Sequence, residues 1–572
     1  MTSLRLKSLR RWFLAGLSCW FCITRPSLAA PKLHFHTIPL PVTAEAQQLT
    51  RTSPAVDLGE ETVAISYHPL FRNGDRFGDE TFGLLYDSRG QPLKKEDGSP
   101  RISNSNDFSS LLQVDGQIFL LSQFEDMPAG IYLSELQQSA ETGLLKVKRT
   151  RPLDLSPLNG AWNLCAGSVT PWSTHLASEE YEPNAAVVDD IPDRSYQSMA
   201  SYTGGDPAQL NPYDYGWQLE ARVDSFDQVQ LTRHYAMGRF SPEAGIVMPD
   251  RKTVYITDDG NNTALFRFVA DRAGDLSSGR LFAARWIQTS RSNGGSAKLD
   301  WIPLGHADDA TIKKQIDRRI DFDEIFRYSH PGLGNECPNG YRAINTRWQH
   351  ECLRLRPGMA QVASRLESRR YAALLGATTE FSKMEGVTYD SATNRLYVAM
   401  TSLSKGMEDN RKKNLPNDRW DRGGPNHIRL PYNPCGAVYT LELDEAYVAH
   451  NMRALVTGRP VNGDPDNRCD TAGIANPDNL TFIQGQDTLI IAEDSSKGHR
   501  NNALWGYQVS SGELTRIQTA PLGAEITGAY HFPDVNGWDY LFSVIQHPLD
   551  AASITGYIGP FPTDTTAGQQ SR

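Results

Sequence analysis

Ser241-Pro242-Glu243-Ala244-Gly245-Ile246-Val247 runs through a Pro-Asp turn into Val254-Tyr255-Ile256-Thr257-Asp258-Asp259, and then through Asn261-Asn262 into Ala264-Leu265-Phe266-Arg267-Phe268. Apolar residues alternate within each piece, no helical period is present, and turn residues bound each one, so the stretch reads as three short strands. A second stretch repeats the plan: Asn476-Pro477-Asp478-Asn479-Leu480-Thr481-Phe482, a turn at Gly485, Leu489-Ile490-Ile491-Ala492-Glu493-Asp494, Asn501-Asn502, and Ala503-Leu504-Trp505-Gly506-Tyr507. The unit opens on an acid and closes its second strand on one or two more.

Weaker copies follow. Lys383-Met384-Glu385-Gly386 precedes Arg395 to Thr401, Glu525-Ile526-Thr527-Gly528 precedes Tyr540 to Val544, Cys165-Ala166-Gly167 precedes Leu176 to Glu180, and Asn106-Asp107-Phe108 precedes Ile118 to Leu121. Six such units predict an all-β, six-bladed β-propeller, in which radial repetition leaves few exposed edges. The first strand of each blade then lies along the central channel. The lead residues Asp107, Cys165, Glu243, Glu385, Asp478 and Glu525 converge at one mouth on this reading. Five carboxylates and a thiol at such distances call for cations, because like charges crowded together shift their pKa values or recruit a metal.

The longest gap, between Glu243 and Glu385, predicts a partly helical insertion over about residues 293–375, with helical stretches from Ala307 to Tyr328 and from Gly358 to Leu375. Its cations, Lys313, Lys314, Arg318, Arg319, Arg365, Arg369 and Arg370, read more readily as a solvated face than as a funnel for an anionic substrate.

Composition bounds the partners. A formal net charge of −10 and a pI near 5.8 argue against a nucleic-acid backbone, which demands a basic face. After the first thirty residues no apolar run approaches the roughly 20 residues that span a bilayer. Arg5, Lys7, Arg10 and Arg11 precede an apolar stretch from Trp12 to Ile23, and Ser27-Leu28-Ala29 offers a cleavage site, so residues 1–29 read as a signal peptide and 30–572 as the mature domain. Arg10-Arg11-Trp12-Phe13-Leu14 resembles a twin-arginine signal, which implies the Tat translocon as a partner in export; an ordinary secretory signal with a chance Arg pair is the alternative. The expected location is periplasmic or secreted, and the expected state a monomer. Five cysteines remain after cleavage, and with Cys165 set aside for chemistry, Cys337, Cys352, Cys435 and Cys469 admit two disulfides in three connectivities, or free buried thiols.

Ala161-Trp162-Asn163-Leu164-Cys165-Ala166-Gly167, followed by Thr170-Pro171-Trp172 and Ser178-Glu179-Glu180, resembles a block of the PhoX alkaline phosphatases. Tyr215-Gly216-Trp217, Gly238-Arg239-Phe240, Asp258-Asp259 and Gln546-His547-Pro548 recur in that family's order. The resemblance implies a phosphomonoesterase with a pair of ferric ions bridged by an oxo group and flanked by calcium ions. It makes Cys165, Glu243, Glu385 and Asp478 similar to the iron ligands, and Glu179, Glu180, Asp258, Asp259 and Asp494 candidates for calcium. The donor types agree, since a thiolate binds transition metals and calcium takes oxygen. Lys383, where the family more usually carries Arg, is the candidate cation for the transferring phosphoryl group. Asn163 is a candidate donor to phosphate or a turn cap. Pro242 before Glu243 departs from the family's usual His.

Two other classes compete: a calcium-binding propeller without phosphatase activity, and a calcium-dependent esterase or lactonase. Neither has a use for Cys165. No Gly-x-Ser-x-Gly elbow or phosphate-binding P-loop is present.

Overall fold

Six four-stranded antiparallel units follow one another along the chain. They cover Asn106–Pro152, Leu164–His234, Pro242–Ser290, Met384–Thr457, Pro477–Thr519 and Glu525–Pro562, and are numbered here as blades one to six. The computed structural model describes residues 33–187, 194–332, 334, 336–409 and 418–563. The expected signal peptide, residues 1–29, lies outside the described residues.

The innermost strands are Asn106–Val114, Leu164–Val169, Pro242–Val247, Met384–Asp390, Pro477–Ile483 and Glu525–Phe532. Each packs beside the innermost strand of the next blade, and that of blade six returns to blade one, so the ring is closed. Chain ends complete it. The N-terminal strand Ser66–Arg72 supplies the outermost strand of blade six, against Ile554–Pro562, and Arg51–Thr52 extends blade five. This is the expected six-bladed, all-β propeller.

Both faces of every blade are buried, and strand alternation explains how one sequence serves both. In blade one Leu121 packs toward blade two while its neighbour Leu120 packs toward blade six. Tyr255 and Ile256 divide in the same way in blade three, as do Ile490 and Ile491 in blade five. Each such side chain contributes roughly 1.5–3 kcal/mol on burial, so the inter-blade layers carry the stability of the ring.

The segment expected as a helical insertion has two parts. Ser296–Asp308 is a strand that pairs with Asp275–Ser290 of blade three and with Asn451–Thr457 of blade four, joining the two blades into one nine-stranded sheet. The remainder holds helices Asp309–Asp317, Phe322–Ile325, Ala360–Leu366 and Ser368–Leu375 and a three-stranded sheet. Its arginines divide too. Arg318 pairs with Glu324 at the surface, whereas Arg365, Arg369 and Arg370 are buried. Arg370 bridges Glu351 and Glu367, each at 2.8 Å, and Arg369 bridges Asp258 and Glu182. Arg365 and Arg369 hold the helices onto the propeller and Arg370 ties them to the insertion's own sheet, so these three form neither a solvated face nor a funnel. Disulfides link Cys337 to Cys352 and Cys435 to Cys469, and among the described residues Cys165 is the free thiol.

Candidate metal centre

A bulge at one position repeats around the ring. In blade one Asn106 pairs with Phe124 and Ser109 with Ser122, so Asp107 and Phe108 together face a single residue. The same two-against-one step places Cys165, Glu243, Glu385 and Asp478 at the first bulged position of blades two to five. A bulge re-aims a side chain out of the ladder, and here it turns the lead residues toward the channel mouth. Blade six departs from the expected phase. Its bulge falls at Gly528-Ala529, and a Cβ on Gly528, whose φ is +54°, would meet the Asp107 carbonyl oxygen at 2.5 Å. Glu525 stands three residues earlier, opposite Gln546.

The paired acids that end the second strands separate into two roles, because consecutive strand residues face opposite ways. Glu179 accepts hydrogen bonds from the backbone of Trp162, Gly216 and Trp217 at 3.1, 3.1 and 3.2 Å and from Arg233 at 2.5 Å. Asp258 accepts from the backbone of Ser241 and Ala264 and from Arg369. Glu493 does the same in blade five, with Ala475, Ala503, Trp505 and His499. Glu179 and Asp258, expected as calcium ligands, are therefore not brought to the cluster: their oxygens are committed to the blade's own backbone and a buried arginine. The residues one position on, Glu180, Asp259 and Asp494, face the mouth.

There they meet the lead residues. Ligand atoms of Asp107, Glu125 and Cys165 lie within 4.8 Å of one another, as do those of Cys165, Glu180 and Glu243, of Glu243, Glu385 and Asp478, and of Glu125, Glu525 and His547. Shared members make this one continuous cluster. Cys165 Sγ is 3.3 Å from Glu243 Oε1 and 4.0 Å from Asp107 Oδ2. Sequence reasoning missed Glu125, His547 and Tyr181. Glu125 closes the second strand of blade one as Glu180 closes that of blade two, so the second-strand rule carried to blade one reaches it. His547 holds the matching place in blade six, 3.4 Å from Glu525.

Lys383 Nζ is bonded to Asp259 Oδ2 at 2.7 Å, Glu385 Oε1 at 2.9 Å and the Tyr181 hydroxyl at 3.1 Å. Asn163 Nδ2 donates to Glu180 at 3.1 Å and Glu125 at 3.4 Å, so its amide serves the carboxylates. Both residues hold positive φ, +56° and +39°, a strain that surrounding structure must impose and that concentrates at functional sites.

The electrostatics require cations. Burial, reinforced by mutual repulsion, pushes the Asp107, Glu180, Glu243, Asp478 and Glu525 carboxyls and the Cys165 thiol well above their ordinary values. It raises Glu125 to about 7 and Glu385 to about 8. Asp259 is held low, because against the cost of burial the Lys383 ammonium dominates. Among the described residues Asp107 Oδ1, Glu243 Oε2 and Asp259 Oδ1 are buried with no hydrogen-bond partner. Unpartnered carboxylate oxygens, a thiol and an imidazole, converging around one ammonium, form a donor set that fits metal cations.

A cavity of about 250 Å³ opens beside Lys383 and Asp494. A larger one of about 520 Å³ lies at the edge of blade one, among Tyr86, Tyr132, Leu153 and Tyr202, and contains none of the clustered ligands.

The family model for alkaline phosphatase PhoX matches residues 137–548. Among solved structures the chain is similar to Pseudomonas fluorescens PhoX in complex with vanadate, a transition state analogue, at 18% identity and a TM-score of 0.57, over 92% of this chain and 98% of that one. A putative 6-phosphogluconolactonase from Bacteroides uniformis is a far more distant likeness, at 10% identity and a TM-score of 0.30 over 94% and 99% of the two chains. No curated protein matches the sequence. The family model spans well over half of the chain and takes in most of the clustered ligands, and the chain belongs to the PhoX alkaline phosphatase family.

Proposed function

We propose that this phosphomonoesterase is exported and works through iron and calcium held at the channel mouth. The observation that carries the metal assignment is the Cys165 thiol, 3.3 Å from Glu243 within a ring of carboxylates. A thiolate selects a transition metal, and calcium has no use for it. On this reading Cys165, Glu243, Glu385 and Asp478 hold a pair of iron ions. Glu180, Asp259, Asp494 and the outlying Asp107, Glu125 and Glu525 supply the hard oxygen ligands that calcium prefers. When bound, the metals supply Lewis-acid polarisation of the phosphoryl oxygens.

The chain's own residues do the positioning. Lys383, bonded to Asp259 and Glu385 and lining the adjacent cavity, offers its ammonium to the equatorial oxygens on which charge grows in the transition state. As a point charge it orients phosphate less strictly than an arginine fork. Asn163 fixes the rotamers of Glu180 and Glu125 through its amide. Tyr181 shares Asp259 with Lys383 and keeps the ammonium aimed. The calcium-only alternatives, a binding propeller or a lactonase, leave the half-buried thiol unexplained.

Export rests on the sequence of residues 1–29 and on the disulfides Cys337–Cys352 and Cys435–Cys469, which belong to an oxidising compartment. No helix among the described residues is long and apolar enough to cross a membrane. The test is elemental analysis of mature protein purified without added metal, alongside turnover of an aryl phosphate. Iron and calcium together with turnover are expected; calcium alone, or full zinc occupancy, overturns the iron assignment.

A further inference from the structure

The cavity beside Lys383 has walls with a chemistry the metal cluster does not use. It is lined by Lys383, Thr401, Asn476 and Asp494 on the cluster side, and by Arg468 and Lys497 on the outer side. Arg468 and Lys497 come from two loops tied to each other: the Arg468 amide donates to the Lys497 carbonyl at 3.1 Å, and the Cys469 amide to the Gly498 carbonyl at 3.0 Å. The Cys435–Cys469 disulfide anchors the first loop, and Ser495 Oγ accepts from the Gly498 and His499 amides to hold the second. Both cationic side chains are exposed, and among the described residues neither has an ion-pair partner.

Their neighbours Arg459 and Arg500 pair with Asp470 and Asp466, which leaves Arg468 and Lys497 lining the cavity without an ion-pair partner among the described residues. At about 250 Å³ the cavity is smaller than the ~300–1,000 Å³ pockets that enclose a whole drug-sized ligand, so it suits part of one. Lys383 and Asp494 line this space, so it adjoins the place where a phosphoryl group would sit and is open to the remainder of the ester. We propose that Arg468 and Lys497 form a second anion subsite that selects phosphomonoesters whose leaving group carries a further negative charge, a carboxylate or another phosphate.

The inference rests on the phosphatase reading, and the experiment separates the two. kcat/KM is measured on intact metal-loaded protein for phenyl phosphate and for its ring-carboxylated analogue, in wild type, Arg468→Ala, Lys497→Ala, the double variant and Arg468→Glu. The ratio of charged to neutral ester is expected to fall about tenfold in the double variant, further in Arg468→Glu, and to be eroded by salt in wild type, as for solvent-exposed charge pairing. Recovery of the ratio in Arg468→Lys is expected from charge alone. An unchanged ratio, with wild type hydrolysing both esters, overturns the subsite and leaves the phosphatase reading standing. Absence of turnover on both esters in metal-loaded wild type overturns the phosphatase reading, and the subsite with it.

Discussion

Glu179 and Glu180 are adjacent, identical and both buried, yet their replacement should have opposite consequences. Glu179→Ala strips the acceptor from Arg233, which is 1% exposed, and from the three backbone amides of Trp162, Gly216 and Trp217. Breaking a buried ion pair by removing one partner costs about 3–5 kcal/mol. Two carbonyls, of Leu158 and Gly160, still receive Arg233, which favours the lower end of that range. At about 2 cal/mol/K of unfolding entropy per residue, a chain of 572 residues responds with roughly one degree per kcal/mol, so the apparent Tm should fall by about 3 °C or more. Glu180→Ala removes a carboxylate whose hydrogen-bond donor is Asn163 and whose neighbours Glu243 and Asp259 repel it. Without metal its Tm should hold or rise; with metal, calcium content and turnover should drop. Differential scanning calorimetry of both variants, in chelator and in calcium, reads the difference. A Glu179→Ala protein that melts normally but loses calcium, or a Glu180→Ala protein that melts several degrees low in chelator, refutes the division of roles.

His234 is buried between Glu220 Oε2 at 2.8 Å and Asp309 Oδ2 at 3.6 Å, pinning helix Asp309–Asp317 to blade two. Against the cost of burial these carboxylates hold it up to about 9. A raised histidine stabilises fully below its unfolded value near 6.5 and loses that contribution as pH rises through about 9, here about 3 kcal/mol in total. The Tm gap between wild type and His234→Gln should therefore narrow by about 3 °C from pH 6 to pH 10; a constant gap denies the charged histidine its role. Lys383→Ala should lower turnover at least tenfold while iron remains, because the ammonium is assigned to the substrate; loss of iron along with activity would make it a structural counter-ion instead.

Much of the fold was legible because propeller strands alternate visibly. Tyr255-Ile256 and Ile490-Ile491 bury neighbouring residues against different blades, which gives short, largely apolar runs between turn residues, repeated on one plan though at uneven spacing. The lead acids were legible as a phase in that repeat, Cys165 included. What the sequence does not display is the bulge. Nothing in Leu164-Cys165-Ala166 announces that two residues face one, and at Gly528 the phase alone misplaces the sixth lead. Nor does a Glu-Glu or Asp-Asp pair reveal which member turns inward; that follows from the register of Leu164 with Glu179 and of Pro242 with Asp258. Arg369 and Arg370 read as a solvated face because their partners, Asp258, Glu182 and Glu351, are distant in sequence. The disulfide pairing likewise needed the fold, which brings the turn at Cys435, just before strand Ala437–Glu442 of blade four, against the loop at Cys469 that precedes blade five, since three connectivities satisfy the spacing equally.

Cys165→Ser tests most directly whether the converging carboxylates and thiol are a catalytic transition-metal centre. The serine keeps the size and the channel-facing bulge but is a far poorer metal ligand at neutral pH. The variant, purified in parallel with wild type, is analysed for iron and calcium, for aryl phosphate turnover and for its circular dichroism. A folded protein depleted of iron and at least a hundredfold slower is expected, because six blades packed face to face do not depend on one side chain at the mouth. Near-normal turnover with iron retained in a folded Cys165→Ser protein would contradict the account.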